Sequence, residues 1–420
     1  MELKKTTTPF QIFCWCVFDW AHSAFPTVII TFVFGTYFIR SVADSTIKGT
    51  AYWGWLIGVS GIVVALLSPV LGSIADYTGR RKPWLAVFTL SNIILTGLLF
   101  FTLPSPSWIW WALIVLFFAT VTYEFTQVFY NAMMVSIAPK QKVGRISGWG
   151  WGLGYFGGLL CLAIALIFFI KGKGVSRTED LNIRLTTLLV AAWFLIFGIP
   201  LFLFTPDVEK TDKTSREAIV QGIKELWNTL KEIKKYRSVF LFIIAHLFYI
   251  DGLSTLFIFA GIYAAGTFHM SYTQILYYAM ILNVSAGIGA VIFAWVDDFV
   301  GPKFTICFSL VAMIVAGSLV LVVKSVLWFW ILSAVVGFFV GPTQAASRSY
   351  MARLAPPHLI NQMFGIYQLS GRITTFIGPI LVGVLTEVYK SQRAGMAVVF
   401  VMMLIGYFIL LAVPKPAEPT

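Results

Sequence analysis

Runs of about twenty apolar residues, six before a single polar stretch and six after it, leave this chain few folds. A bilayer core about 30 Å thick is crossed by about 20 residues of α-helix. Lipid offers no partner to a bare peptide group, so such runs cross as helices. The runs lie at 10–39, 52–75, 84–103, 108–136, 146–170 and 185–204, then at 239–265, 272–296, 304–323, 326–351, 360–388 and 394–413. The expected fold is an all-α membrane protein of about twelve transmembrane helices in two pseudo-symmetric six-helix bundles. Residues 1–204 form one bundle, 239–420 the other, and 205–238 a linker. The first run follows Lys4 and Lys5 and continues to Ile39, longer than a cleaved leader, so it reads as the first helix.

Charge placement sets the partners. Only 11% of the residues are charged, against about a quarter in soluble proteins. The net charge of +12 sits between apolar runs without a continuous basic face, so the partner is the lipid bilayer and not nucleic acid. Cys14, Cys16, Cys161 and Cys307 all fall inside apolar runs, which argues against a disulfide framework. Cys14 and Cys16 have no further Cys or His cluster to complete a metal site, and neither metal nor cofactor is expected. In the linker, Ile219, Ile223, Leu226, Leu230 and Ile233 recur at helical spacing opposite Lys and Glu, predicting an amphipathic helix on the membrane surface. Basic residues are denser in the linker and in the loops on the N-terminal side, among them Arg80, Arg81, Lys82, Lys140, Lys142, Arg145, Lys303 and Arg353. Positive charge prefers the cytoplasm, so both termini are expected there.

The halves repeat one another. The stretch from Trp111 aligns without gaps on that from Trp328, setting Thr126–Gln127 on Thr343–Gln344, Asn131 on Arg348, and Pro139 on Pro356. FDWAHSAF from Phe18 matches IDGLSTLF from Ile250, making Asp19 and Asp251 counterparts. Repeated halves of this kind place a solute site between them near the midplane and expose it alternately by rocking.

Between the second and third runs lies GSIADYTGRRK, Gly72 to Lys82. It resembles the signature loop of the major facilitator superfamily: a glycine, an acid four residues on, then Gly-Arg followed by Arg or Lys. Gly72 permits close helix approach, Gly79 makes the turn, and Asp76 is placed to meet a helix N-terminus. The resemblance implies that Asp76, with Arg80, Arg81 and Lys82, latches the cytoplasmic face. The second half carries a shortened version, WVDDFVGPK, in which Asp298, Gly301 and Lys303 match Asp76, Gly79 and Arg81. FDWAHSAFPTVIITFVFGTYF and GRISGWGWGLGYFGG resemble a narrower subgroup, the autophagy-related vacuolar amino-acid effluxers of fungi and their bacterial relatives. That resemblance implies amino acids as substrates, and the short loops favour a bacterial inner (plasma) membrane member. The fourth run offers Glu124, Gln127 and Asn131 where many proton-coupled members carry Arg, and Gly154–Gly158 lacks the proline of drug antiporters.

Ionisable groups at membrane depth cost about 2.5–3.5 kcal/mol each on insertion scales and mark candidate sites. Here they are Asp19, Glu124, Asp251 and Arg372, with Gln127, Asn131, Gln344 and His246 as polar companions for a substrate or proton pathway. Arg348 lies toward the cytoplasmic end, where a gate contact suits it better than substrate. A carboxyl that binds and releases a proton would couple proton flow to solute movement, and Arg372 would suit a substrate carboxylate. The expectation is a monomeric secondary transporter of a small polar solute, an amino acid or carboxylate-bearing metabolite, with a proton as co-substrate. The alternatives are a carrier of larger amphiphilic compounds, such as drugs or siderophores, and a non-transporting receptor. HExxH, GxSxG and GxxxxGK[ST] are absent from the sequence, so an enzyme is not expected.

Overall fold

The computed structural model describes residues 7–44, 46–170, 172, 174, 176–207, 220, 224, 227, 228, 236–268, 270, 272–371 and 377–414. Among these residues eleven helical segments are long and apolar enough to cross a membrane, and Ile377–Thr386 is a shorter apolar helix. The helices are α1 (Pro9–His22), α2 (Thr46–Thr78), α3 (Lys82–Leu98), α4 (Ile109–Ile137), α5 (Val143–Ile164) and α6 (Leu181–Phe204). They continue as α7 (Arg237–Phe268), α8 (Tyr272–Phe299), α9 (Pro302–Val322), α10 (Val326–Leu354), α11 (Ile360–Ser370), α12 (Ile377–Tyr389) and α13 (Gln392–Leu411). Of the eleventh apolar run the described residues give α11 and α12, and residues 372–376 between them, Arg372 included, lie outside the described residues. The amphipathic linker helix also lies outside them, apart from Val220, Lys224, Trp227 and Asn228.

Packing divides the chain into two compact units. The first holds residues 1–64, 79–137 and 153–210, and the second holds 65–78, 138–152 and 211–420. In the first unit, α1 starts at a capping box in which Thr8 and Gln11 exchange side-chain and backbone bonds. Past Ser23 the first span runs on as π-helical turns, Phe25–Phe32 and Phe38–Val42, with Pro26 at the first of them. Proline lacks an N–H and disrupts the i→i−4 ladder, which accounts for the wider turn there. Phe25, Val28, Phe34, Phe38, Leu116 and Ala119 are buried in its apolar core.

The two motif glycines have the same backbone solution. Gly79 has φ 79° and Gly301 has φ 108°, both in the region that side chains disfavour. The residues after them act as pins. Asp207 accepts the backbone N–H groups of Arg81 and Lys82 through its two carboxylate oxygens (3.1 Å each), capping α3. Lys82 Nζ donates to the carbonyl of Phe202 at the end of α6 (2.9 Å), and Arg81 Nη1 donates to Ala132 O (3.0 Å) and Ser136 Oγ (3.1 Å). In the second unit Lys303 Nζ donates to the carbonyls of Leu411 and Val413 at the end of α13. Each lysine therefore ties down the last helix of its unit, so Lys303 does the work of Lys82 although the sequence match aligned it on Arg81. Because cap loss costs about 1 kcal/mol, Asp207→Ala should lower the thermal unfolding midpoint in detergent; an unchanged midpoint would refute the cap.

Candidate functional site

In the first unit Gly154–Gly158, the end of one stretch that carries the family resemblance, packs against the other stretch. A Cβ added to Gly154 would lie 2.7 Å from Ser23 Oγ, and one added to Gly158 would lie 2.6 Å from Thr27 Oγ1. Gly157 sits against the backbone and ring of Trp20. Asp19, only 5% exposed, lies on the same stretch of α1, and Gly154 also packs against it. His22 joins α1 to α4: its Nε2 meets the carbonyl of Tyr123 (3.3 Å) and its Nδ1 the side-chain amide of Gln127 (2.8 Å). The His22 ring also stacks on Tyr123 at 3.9 Å. Glu124, Gln127 and Asn131, at spacing i, i+3, i+7, share one face of α4, with Glu124 and Asn131 buried. Four of the expected pathway residues thus belong to one α1–α4 neighbourhood.

In the second unit Asp251 is wholly buried on α7, and its Oδ2 accepts the backbone N–H of Gly378 on α12 (3.3 Å). Five residues earlier, His246 is also buried; its Nδ1 meets Ser370 Oγ on α11 at 2.8 Å. Tyr249 OH and Ser347 Oγ share a 2.7 Å bond between α7 and α10. Gln344 lies on the same α10 helix. Asn283, by contrast, bonds to Ala279 on its own helix.

At one end of the second unit the segment 143–152 docks on α8 and α10. Its glycines at positions 144, 148 and 152 recur every four residues, on one face. Gly144 sits on the Asp297 carboxylate, and a Cβ added to Gly148 would lie 2.5 Å from that of Ala294. One added to Gly152 would lie 2.5 Å from Val291. Polar contacts bracket this face. Arg145 Nε is 3.3 Å from Asp298 Oδ2, and the N–H groups of Gly144 and Arg145 at the start of α5 are directed at the same carboxylate. Arg353 Nη2 reaches Asp297 Oδ1 (3.2 Å) and Asp298 Oδ1 (3.5 Å), and Ser349 Oγ donates to Asp297 Oδ1 (3.0 Å). Arg348, 2% exposed, donates Nε to Ser147 Oγ (2.9 Å) and Nη2 to Ser147 O (2.6 Å). Its guanidinium lies 5.7 Å from the Trp151 ring.

Asp298 and Arg348, singled out in the sequence, meet here, whereas Lys303 and Gly301 serve the neighbouring turn. Asp297, Arg145, Arg353 and Ser147 were missed as members of this cluster. The adjacent acids of WVDDF, set against a basic loop, were the available signal. Gly72 is buried and Arg80 exposed, and the side chain of Asp76 lies outside the described residues. An apolar cavity of about 40 Å³ in the second unit is lined by Phe257, Tyr263, Tyr278, Phe329 and Phe400. That is well below the ~150 Å³ that holds a benzene, so it is a packing gap rather than a solute site.

Membrane-length helices carrying buried acids make this a multi-pass membrane protein, and its fold is the one shared by transporters of the major facilitator superfamily. Two solved structures share the fold. The human organic anion transporter MFSD10 (TETRAN) superimposes with TM-score 0.74 at 14% identity, covering 96% of this chain and 100% of that one. The proton:xylose symporter XylE gives 0.73 at 13%, covering 96% and 95%. The MFS-type transporter YxiO of Bacillus subtilis, itself uncharacterised, is 29% identical over 408 residues, covering 96% of this chain and 94% of that protein. Autophagy-related protein 22 of Yarrowia lipolytica is 23% identical over 323 residues, covering 69% of this chain and 54% of that protein, so the chain spans about half its length. The family model described as "Vacuole effluxer Atg22 like" matches residues 16–417, and the chain belongs to that family. It is a multi-pass membrane protein and a secondary transporter, not an enzyme.

Proposed function

We propose that this transporter moves an amino acid or a carboxylate-bearing metabolite by alternating access, coupled to protons, across a bacterial inner membrane with both termini cytoplasmic. The observation that carries the reading is the burial of Asp19 and Asp251 well inside two membrane helices. An acid at such depth is costly when ionised, so it holds a proton or a cationic group, and an α-ammonium supplies the latter. The pathway residues of this reading are Asp19, Glu124, Gln127 and Asn131 in the first sequence repeat, and Asp251, His246, Gln344 and Arg372 in the second. The 143–152 segment, docked through Asp298 and Arg348, is the cytoplasmic latch that parts when the cavity opens inward. Asp76 and its loop are the matching latch of the first half. The carrier works as a monomer.

The test is uptake of radiolabelled amino acids and organic acids into proteoliposomes, with and without an inward proton gradient, for wild type and Asp19→Asn. Saturable, gradient-accelerated uptake that disappears in the variant is expected. Gradient-independent uptake surviving in Asp19→Asn would remove coupling, and uptake only of larger amphiphilic compounds would replace the substrate class.

A further inference from the structure

His22 and His246, both buried, differ in what they leave open. His22 Nε2 faces a carbonyl oxygen, which only accepts, so Nε2 carries the hydrogen. Nδ1 then accepts from the Gln127 amide, and both ring nitrogens are satisfied. For His246 the chain of bonds runs the other way. Ser370 Oγ donates its single hydrogen to the carbonyl of Tyr367 (2.7 Å). It therefore accepts from His246 at 2.8 Å, which puts the ring hydrogen on Nδ1. Nε2 is left as a bare acceptor, and it has no hydrogen-bond partner among the described residues although the side chain is 3% exposed. A buried ring nitrogen without a partner costs about 1–3 kcal/mol in either tautomer, since Nε2–H would be an unmet donor just as bare Nε2 is an unmet acceptor.

We propose that His246 Nε2 is a proton-accepting site of the transport cycle, and that Ser370 is the positioning residue that keeps its lone pair free. The inference rests on the proton-coupled reading above. A proton from hydronium adds to the Nε2 lone pair, giving the imidazolium and leaving a water molecule. The Nδ1–H bond to Ser370 persists and strengthens, and release restores the neutral ring. The ring is held by Tyr367 at 4.3 Å and Tyr249 at 5.2 Å, so it changes charge without changing place. Among the described residues, the titratable and charged groups around this neighbourhood are Tyr249 and Asp251 on α7, Cys307 on α9, Arg348 and Tyr350 on α10, and Tyr367 on α11. None of them supplies Nε2 with a hydrogen bond.

Two measurements test this. In ¹⁵N-histidine-labelled protein in lipid nanodiscs, the resonance lost in His246→Asn should show the Nδ1–H tautomer at neutral pH, and Ser370→Ala should abolish that preference. An Nε2–H tautomer in the wild type overturns the proposal. In proteoliposomes, asparagine keeps a donor toward Ser370 but cannot take up the proton. The ratio of gradient-driven uptake to exchange at equal pH should therefore drop to unity in His246→Asn. A ratio as high as wild type overturns the His246 role while leaving coupling intact. A changed affinity with coupling preserved assigns Nε2 to a donor on the solute and also overturns it. A wild type that ignores the gradient overturns the coupling reading itself.

Discussion

Gly289→Ala should lower the thermal unfolding midpoint of the detergent-solubilised protein, and Gly289→Leu should abolish recovery of folded monodisperse material. A Cβ at Gly289 on α8 would strike the carbonyl oxygen of Phe338 on α10, and one at Gly341 would strike that of Ala286. A Cβ at Gly337 would come within 2.9 Å of Leu282 Cδ2 and 3.2 Å of its carbonyl. The α8–α10 crossing is therefore built on backbone-to-backbone approach. In lipid, helix association depends on such close packing, because burying apolar surface against lipid-like surface gains little.

Two effects compete in that substitution. Alanine is the better helix former by about 1 kcal/mol, which favours the variant. Overpacking costs about 1–3 kcal/mol where side chains can shift, and a carbonyl locked in its own helix shifts less. The clash should win at Gly289 and Gly341. Gly58 on α2 is the control, since a Cβ there meets nothing within 4 Å. Gly58→Ala should leave the midpoint unchanged or raise it. Equal midpoints for Gly289→Ala and wild type would show that the helices separate freely at this crossing.

Much of the fold was legible because the bilayer imposes one length and one polarity on every span, so the helices could be counted from the sequence. The repeat was legible in the same way: Gly79 and Gly301, matched as letters, share a left-handed backbone. What stayed hidden depends on helix rotation. Nothing in WVDDF says which acid is the more enclosed; the structure leaves Asp297 and Asp298 2% and 3% exposed, each facing a different arginine first. Arg145 and Arg353 were legible only as cytoplasmic charges, since hydropathy records depth but not direction. The tautomer of His246 was hidden too, because it is decided by Ser370, 124 residues away.

The proposed latch supplies the second large effect, on conformation rather than on folding. Asp298→Asn removes the charge that holds Arg145 and faces the start of α5, and Asp297→Asn weakens the hold on Arg353 and Ser349. Breaking a fully buried ion pair costs about 3–5 kcal/mol, while an exposed one contributes at most about 1 kcal/mol. Here the acids are enclosed but Arg145 and Arg353 are 25% and 24% exposed, so about 1–2 kcal/mol is the reasonable figure. That corresponds to about a five- to thirtyfold change in the ratio of parted to docked states. The contacts of Gly148 with Ala294 and of Gly152 with Val291 are unchanged by either substitution, and asparagine keeps the shape of the side chain that Gly144 meets, so the helices should still form and only the docking equilibrium should move. A cysteine in place of Val143, which is 5% exposed in the docked state, reports that equilibrium through its rate of maleimide labelling. Labelling should accelerate by the same factor in Asp298→Asn, and slow again when Asp298→Arg is combined with Arg145→Asp. If labelling is indifferent to Asp298, the small-residue face alone holds the segment and the charges are incidental. If the single change accelerates labelling but the charge exchange does not restore it, the helix N-terminus, rather than Arg145, is what Asp298 serves.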